Sequence, residues 1–348
     1  MLSSFASRDQ KMKAVAYQQQ GAIERIDALV DVELPIPEAQ GYDLLVKVTA
    51  ISVNPVDTKV RRNLSAEAGQ WKVLGWDATG TVVAVGEKVR NFKVGDAVWY
   101  AGDITRAGTN AEYHVVDERI VGHKPQSLSF AEAAALPLTA ITAWEMLFDR
   151  LRVQDAVAGA APSILVIGAA GGVGSVTLQL LKAKTDLQII ATASRPETQA
   201  WVKQLGADVV LNHHQPLQPQ FEALGLAAPS FVFSIQHSHD YVAQIAELIA
   251  PQGRFGLIDD PEQLNIMPFK RKSVSIHWES MFTRSTFQTA DISKQSELLN
   301  EVSALVDAGK ISTTLTEVFG KIDAENLKKV HVLLEQGVVK GKIVLEGF

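Results

Sequence analysis

The chain has 348 residues, a formal net charge of -6, 47% hydrophobic residues and no cysteine. Without thiols there can be no disulfide, Cys-ligated zinc, iron–sulfur cluster or cysteine nucleophile, and the acidic balance gives no electrostatic footprint for nucleic acid. The length exceeds one ordinary core, no apolar run approaches the roughly 18 residues of a membrane span, and Met1–Gln10 lacks the apolar stretch of a secretory signal. A soluble, cytoplasmic, two-domain protein is the expectation.

Residues 1–11 read as an extension, and the first strand-like alternation starts at Met12. Strands are expected at Leu44–Ala50, Gly80–Val85, Asp96–Tyr100 and Ala111–Val116, where β-branched and aromatic residues concentrate. Closely spaced glycines between them suit a compact β-barrel module. The Ala-rich Phe130–Leu136 reads as helix, interrupted by Pro137 and resumed over Thr139–Leu151.

From Ser163 the pattern alternates. Apolar strands are expected at Ser163–Ile167, Gln188–Thr192, Asp208–Leu211, Phe231–Ser234 and Arg254–Ile258. Helices fall at Gly174–Lys184, Glu197–Leu205 and Tyr241–Ile249. Strands that are apolar throughout and separated by helices imply a parallel sheet covered on both faces, the doubly wound α/β architecture. Helices follow at Gln295–Ala308 and Leu327–Leu334. A closing strand at Lys342–Glu346 suggests that the chain returns to its first domain.

Gly168-Ala169-Ala170-Gly171-Gly172-Val173-Gly174 follows a strand and opens a helix, which is the context of a dinucleotide turn. Gly171 allows close backbone approach to a pyrophosphate, Gly174 allows helix to pack on strand, and the free amides of Ala170–Gly174 with the helix dipole hold phosphate. An ordinary tight turn is the bland alternative. A site for NADH places an acid about 20 residues beyond the glycines to hold the ribose 2′-hydroxyl. This chain has Ala193-Ser194-Arg195 there, a hydroxyl and a guanidinium suited to a 2′-phosphate, so NADPH is the expected cofactor. Ser194-x-x-Glu197 also reads as a helix capping box. The paired histidines His213-His214 and His237-x-His239 lack a ligand set for a metal; His213 ends the third strand, near the adenine end of such a site.

Asn54-Pro-Val-Asp-Thr-Lys59, Gly75-Trp76-Asp77-Ala-Thr-Gly80, Gly95-Asp96-Ala-Val98, Ala169–Gly174 and Gly341–Leu345 together resemble the medium-chain dehydrogenase/reductase superfamily, in its quinone-oxidoreductase branch. The resemblance runs from Met12 to the end. It implies a GroES-like β-barrel catalytic domain (12–136 and 287–348) interrupted by a Rossmann domain (137–286). It also implies a homodimer joined around Ser275–Met281. By motif position Asn54, Trp76 and Leu138 stand where zinc-dependent relatives hold Cys, His and Cys, so no metal is expected.

Without a metal to lower an alcohol's pKa, the suited acceptor is one already electron-poor, a quinone or an α,β-unsaturated carbonyl. Donors aimed at its oxygen would stabilise the developing charge. Asn54, Lys59 and Tyr100 are the candidates, each with a plain alternative as turn residue, solvated lysine or core aromatic. Thr142, with Trp144, and Lys342 join the glycine turn, Ser194, Arg195 and His213 as candidate cofactor contacts. The expected function is NADPH-dependent reduction of quinones or enones; the alternative is a non-catalytic NADPH-binding sensor or structural protein on the same scaffold.

Overall fold

The computed structural model describes residues 10–348, so residues 1–9 of the expected extension lie outside it, while Lys11 already belongs to the first strand. The chain divides into two compact units. The first runs to Leu138 and takes up the chain again over Phe282–Gly309 and Thr313–Phe348; the second comprises Thr139–Met281 and Lys310–Ser312. Among the described residues no helix is long and apolar enough to cross a membrane.

In the first unit Lys11–Tyr17 pairs antiparallel with Val30–Pro35 and Lys72–Val73. A larger sheet runs Leu315–Gly320, Lys342–Glu346, Asp43–Ser52, Ala78–Val85, Ala97–Tyr100 and Val121–His123, with Tyr113–Asp117 pairing off this path onto Asp43–Ser52. The closing strand returns as expected: Val344 lies opposite Ser52 in antiparallel register. Lys342, the first residue of that strand, lies opposite Leu315 in parallel register.

The second unit holds a six-stranded sheet ordered Val209–Leu211, Gln188–Thr192, Ala161–Ile167, Pro229–Ser234, Arg254–Leu257, Ser275–Trp278, every pair parallel. Leu165, Ile190, Val232 and Phe255 are buried within it, which is why these strands lack polar alternation. The order reverses between Ala161–Ile167 and Pro229–Ser234, and ligands of such sheets bind beyond the strand ends at that switch.

Several elements depart from expectation. The Ala-rich helix Phe130–Ala134 ends before Pro137 as expected, but helix resumes at Pro137 itself, over Pro137–Trp144, because its missing N–H costs nothing in a first turn. The helix then widens into a π turn over Glu145–Arg150, where Leu151 N–H donates to the Met146 carbonyl at 2.8 Å. Asn54-Pro55 is not a bare turn: it starts the helix Pro55–Asn63. The helix Leu217–Ala223 and the strand Leu315–Gly320 were not expected.

Candidate functional site

In the second unit the strand Ala161–Ile167 ends at Gly168, whose φ of +80° bends the chain away from the sheet. The Thr192 hydroxyl accepts the Gly168 amide at 3.0 Å, and the Thr192 carbonyl accepts Ala169 N–H at 3.2 Å. The helix Gly172–Lys184 then starts from Gly171 with no side-chain cap. Its first-turn amides, at Gly172, Val173 and Gly174, have no carbonyl one turn back within the helix. Two glycines here do different work. A Cβ on Gly174 would lie 2.3 Å from the Ala169 carbonyl oxygen, so the packing of helix on strand excludes any side chain. A Cβ on Gly171 would meet nothing within 4 Å. The open face in front of Gly171, beside an uncapped helix start, fits a dinucleotide's phosphates.

Beyond the second strand, Arg195 is exposed and pairs with Glu197 at 3.0 Å. The expected capping box is shifted by one residue. The helix is Pro196–Gln204, Arg195 is its N-cap, and the Thr198 hydroxyl accepts Arg195 N–H at 3.2 Å and donates to the Arg195 carbonyl at 3.0 Å. Ser194 therefore stands outside the cap, half-buried at the strand end. His213 is half-buried as well, with Nδ1 3.1 Å from the Thr192 hydroxyl. Thr142 is buried in the helix Pro137–Trp144.

In the first unit the candidate donors meet different fates. Asn54 is buried; its backbone N–H donates to Asp57 Oδ2 at 2.8 Å and its Nδ2 to Asp77 Oδ2 at 2.8 Å. Lys342 Nζ donates to Asn54 Oδ1 at 2.6 Å and to Asp77 Oδ2 at 2.9 Å, and Leu138 N–H donates to Asp77 Oδ1 at 2.7 Å. Burial pushes the Asp77 carboxyl up, while the ammonium and these donors pull it back. Burial also pushes Asp57 up to about 7, against the pull of Asn54 N–H and Lys342. Both ends of the Asn54 amide are thus committed within the cluster. The Lys342 ammonium is an internal counter-charge in this cluster, held by the Asn54 amide oxygen and the Asp77 carboxylate.

Tyr100 closes the strand Ala97–Tyr100. It is buried, its ring stacks on His114 at 5.5 Å, and its hydroxyl donates to His114 Nδ1 at 3.0 Å, since His114 Nε2 donates to the Ala107 carbonyl at 2.9 Å. Burial holds the phenol well above its ordinary pKa and pushes His114 down to about 4, so both stay neutral. Lys59 is exposed on the helix Pro55–Asn63. Sequence reasoning missed Asp57, Asp77 and Thr192. The spacing Asn54-x-x-Asp57 was the available signal for a capping pair, and Asp77 lay inside the Gly-Trp-Asp motif; nothing local marked Thr192.

The residues at the zinc positions do not fit that metal. Asn54 is engaged by a cation already, Trp76 is a buried indole set edge-on to Phe282 at 6.1 Å, and the aliphatic side chain of Leu138 has no atom that binds a metal. Among the described residues no three His, Asp or Glu gather as a metal could require.

Two family descriptions match the chain: the alcohol dehydrogenase GroES-like domain over residues 40–140, and zinc-binding dehydrogenase over residues 194–345. A zinc-type alcohol dehydrogenase-like protein of Staphylococcus aureus (strain MRSA252) is 38% identical over 96% of this chain and 99% of its own length. A solved structure from Rhizobium etli CFN 42, named as a zinc-dependent alcohol dehydrogenase protein, is 58% identical, with a TM-score of 0.96 over 97% of this chain and 99% of that one. The quinone oxidoreductase of Coxiella burnetii is 27% identical, with a TM-score of 0.78 over 97% and 100%. With near full-length likeness, a GroES-like unit and a doubly wound parallel sheet, the chain belongs to the medium-chain dehydrogenase/reductase superfamily and is an oxidoreductase of that family.

Proposed function

We propose that the protein is a zinc-independent, NADPH-dependent reductase of quinones or α,β-unsaturated carbonyls. The observation that carries this reading is a glycine turn open at Gly171, followed by Ser194 and Arg195 where an NADH site would place an acid. The amides of Ala170–Gly174 hold the diphosphate, and Ser194 and Arg195 grip the 2′-phosphate. The cofactor, when bound, supplies the hydride.

The cluster Asn54–Asp77–Lys342 has no group that lowers an alcohol's pKa as a metal does, which favours an acceptor that is already electron-poor. Hydride addition to the β-carbon of an enone drives charge onto the carbonyl oxygen. Of the three expected donors Lys59, exposed on the helix that Asn54 starts, is the one retained for that oxygen. A homodimer is supported by the edge strand Ser275–Trp278, which pairs only with Arg254–Leu257 among the described residues and carries Trp278 at 53% exposure.

NADPH oxidation assayed against a panel of quinones and enones tests the reading. Turnover with at least one class is expected. Tight NADPH binding with no acceptor reduced would overturn it and leave the non-catalytic alternative. Sedimentation of the purified protein at the mass of a monomer would remove the homodimer.

A further inference from the structure

The glycine turn is held from two sides. On one side Thr192 engages the amides of Gly168 and Ala169. On the other, the Ser175 hydroxyl donates to the Gly171 carbonyl at 2.6 Å, with the Ala170 carbonyl farther off at 3.4 Å. A serine bonding back to the carbonyl four residues earlier is common in helices and by itself signifies little. Here Ser175 is 0% exposed, and its hydroxyl also accepts the Trp201 indole N–H at 2.9 Å. Trp201 is half-buried on the helix Pro196–Gln204, which follows the second strand of the alternating unit. The Gly171 carbonyl accepts the Ser175 amide as well, at 2.9 Å. A chain of bonds thus runs from indole to hydroxyl to carbonyl and ties this helix to the start of the helix Gly172–Lys184.

The carbonyl of Gly171 and the N–H of Gly172 belong to one peptide group. Hydrogen bonds to the oxygen draw electrons from the nitrogen, and bonds in series reinforce one another. Gly172 N–H is also the first amide of a helix that has no side-chain cap. Two bonds fix the plane of this peptide. The indole strengthens the second of them by making Ser175 a better donor.

We propose that Trp201 is a positioning residue for the dinucleotide: through Ser175 it fixes and polarises the Gly171–Gly172 peptide, making the Gly172 amide a stronger donor to the diphosphate. The proposal rests on the reading of the glycine turn as the diphosphate site and is independent of whether NADPH or NADH is preferred. Trp201 acts through Ser175 without touching the nucleotide. A phenylalanine in its place keeps the apolar ring and loses only the N–H that feeds the chain.

The test reads the peptide and the affinity separately. Gly171-Gly172 is the only pair of adjacent glycines in the sequence, so glycine labelled with 13C at the carbonyl and 15N at the amide gives one correlated signal, that of Gly172. In unliganded Trp201→Phe its nitrogen should move upfield of the parent, since weaker bonding to the Gly171 oxygen returns electrons to the nitrogen. Titration calorimetry should show the Kd values for NADPH and NADH rising by the same factor, about threefold. Ser175→Ala should show the same direction and a larger effect, about tenfold, the worth of one hydrogen bond. The double variant should be no worse than Ser175→Ala alone, because Trp201 has then no hydroxyl to act through.

An unmoved Gly172 signal or unchanged affinities in Trp201→Phe would overturn the role of Trp201. A loss of affinity with the signal unmoved would make the indole a packing group only. Additive losses in the double variant would overturn the route through Ser175. The reading of the turn itself is judged on the parent: if NADPH binds and leaves the Gly172 signal where it was, or if neither nucleotide binds, that reading and the proposal fall together.

Discussion

The Lys342 ammonium and the Asp77 carboxylate, 265 positions apart, meet at 2.9 Å with side-chain exposures of 5% and 0%. Removing one partner leaves a buried charge uncompensated, at a cost of about 3–5 kcal/mol. Lys342→Met is therefore expected to lower the urea midpoint strongly. Adding Asp77→Asn should recover part of the loss, since an amide still accepts from Leu138 N–H. Additive losses in the double variant would show that the two residues are not coupled.

The replaced zinc positions predict that chelators leave NADPH-dependent turnover unchanged. Elemental analysis of purified protein should give far less than one zinc per chain. Stoichiometric zinc, with activity lost to chelation and restored by zinc, would contradict the reading of Asn54, Trp76 and Leu138.

Gly171 and Gly174 should separate cofactor binding from folding. Gly171→Ala has open space for its methyl and an extended backbone (φ -75°, ψ -172°) that any residue adopts, so the melting temperature should hold. Its NADPH affinity should fall tenfold or more, because the methyl enters the space expected to hold phosphate. Gly174→Ala meets backbone at 2.3 Å and should lower stability and binding together. Equal NADPH affinity in parent and Gly171→Ala would mean that the phosphates lie elsewhere.

Arg195 is 44% exposed in its side chain, so Arg195→Asp should fold normally. A carboxylate at this position repels a 2′-phosphate and accepts from a 2′-hydroxyl, so the preference should move from NADPH toward NADH. An unchanged ratio of the two kcat/KM values would show that the 2′ position is read by other groups.

His331 predicts a pH dependence of stability. It is buried in the helix Ala324–Glu335, neither ring nitrogen has a hydrogen-bond partner among the described residues, and burial, with Arg61 adding to it, pushes it down to about 3. An unfolded chain takes up the proton near 6.5, so the folded form loses stability as pH falls from 6.5 toward 3, by about 1.4 kcal/mol per unit. Asp57 works in the opposite direction: its folded pKa near 7 favours the folded form below 3.8, a gain lost as pH rises toward 7. Comparing the parent with His331→Leu isolates the histidine. The parent's urea midpoint should fall relative to the variant below pH 6.5; parallel curves would show that His331 carries no such penalty.

Local pattern was a good guide where burial is uniform along an element. Gln188–Thr192 and Lys342–Glu346 are apolar enough to read to the residue. The helix Pro55–Asn63 escaped because Pro-Val-Asp-Thr-Lys-Val-Arg-Arg-Asn has no apolar stripe. It packs instead through polar side chains, Arg61 reaching Glu335 on the helix Ala324–Glu335. Ser194 was taken as a possible helix cap because the box residues have the right spacing. In the structure Thr198 makes that bond with Arg195 one position later.

The amino-acid sequence by itself determined the doubly wound sheet, the glycine turn with its missing acid, and the absence of zinc ligands at the motif positions. Each follows from residues adjacent in the chain or from residue type alone. Tertiary structure decided what the candidate side chains touch. Asn54 and Lys342 are drawn into one buried cluster by the antiparallel pairing of Asp43–Ser52 with Lys342–Glu346, and Tyr100 is held by His114 across the sheet. Those partners lie 288 and 14 positions away, and a buried polar group must find its partner wherever the fold brings one.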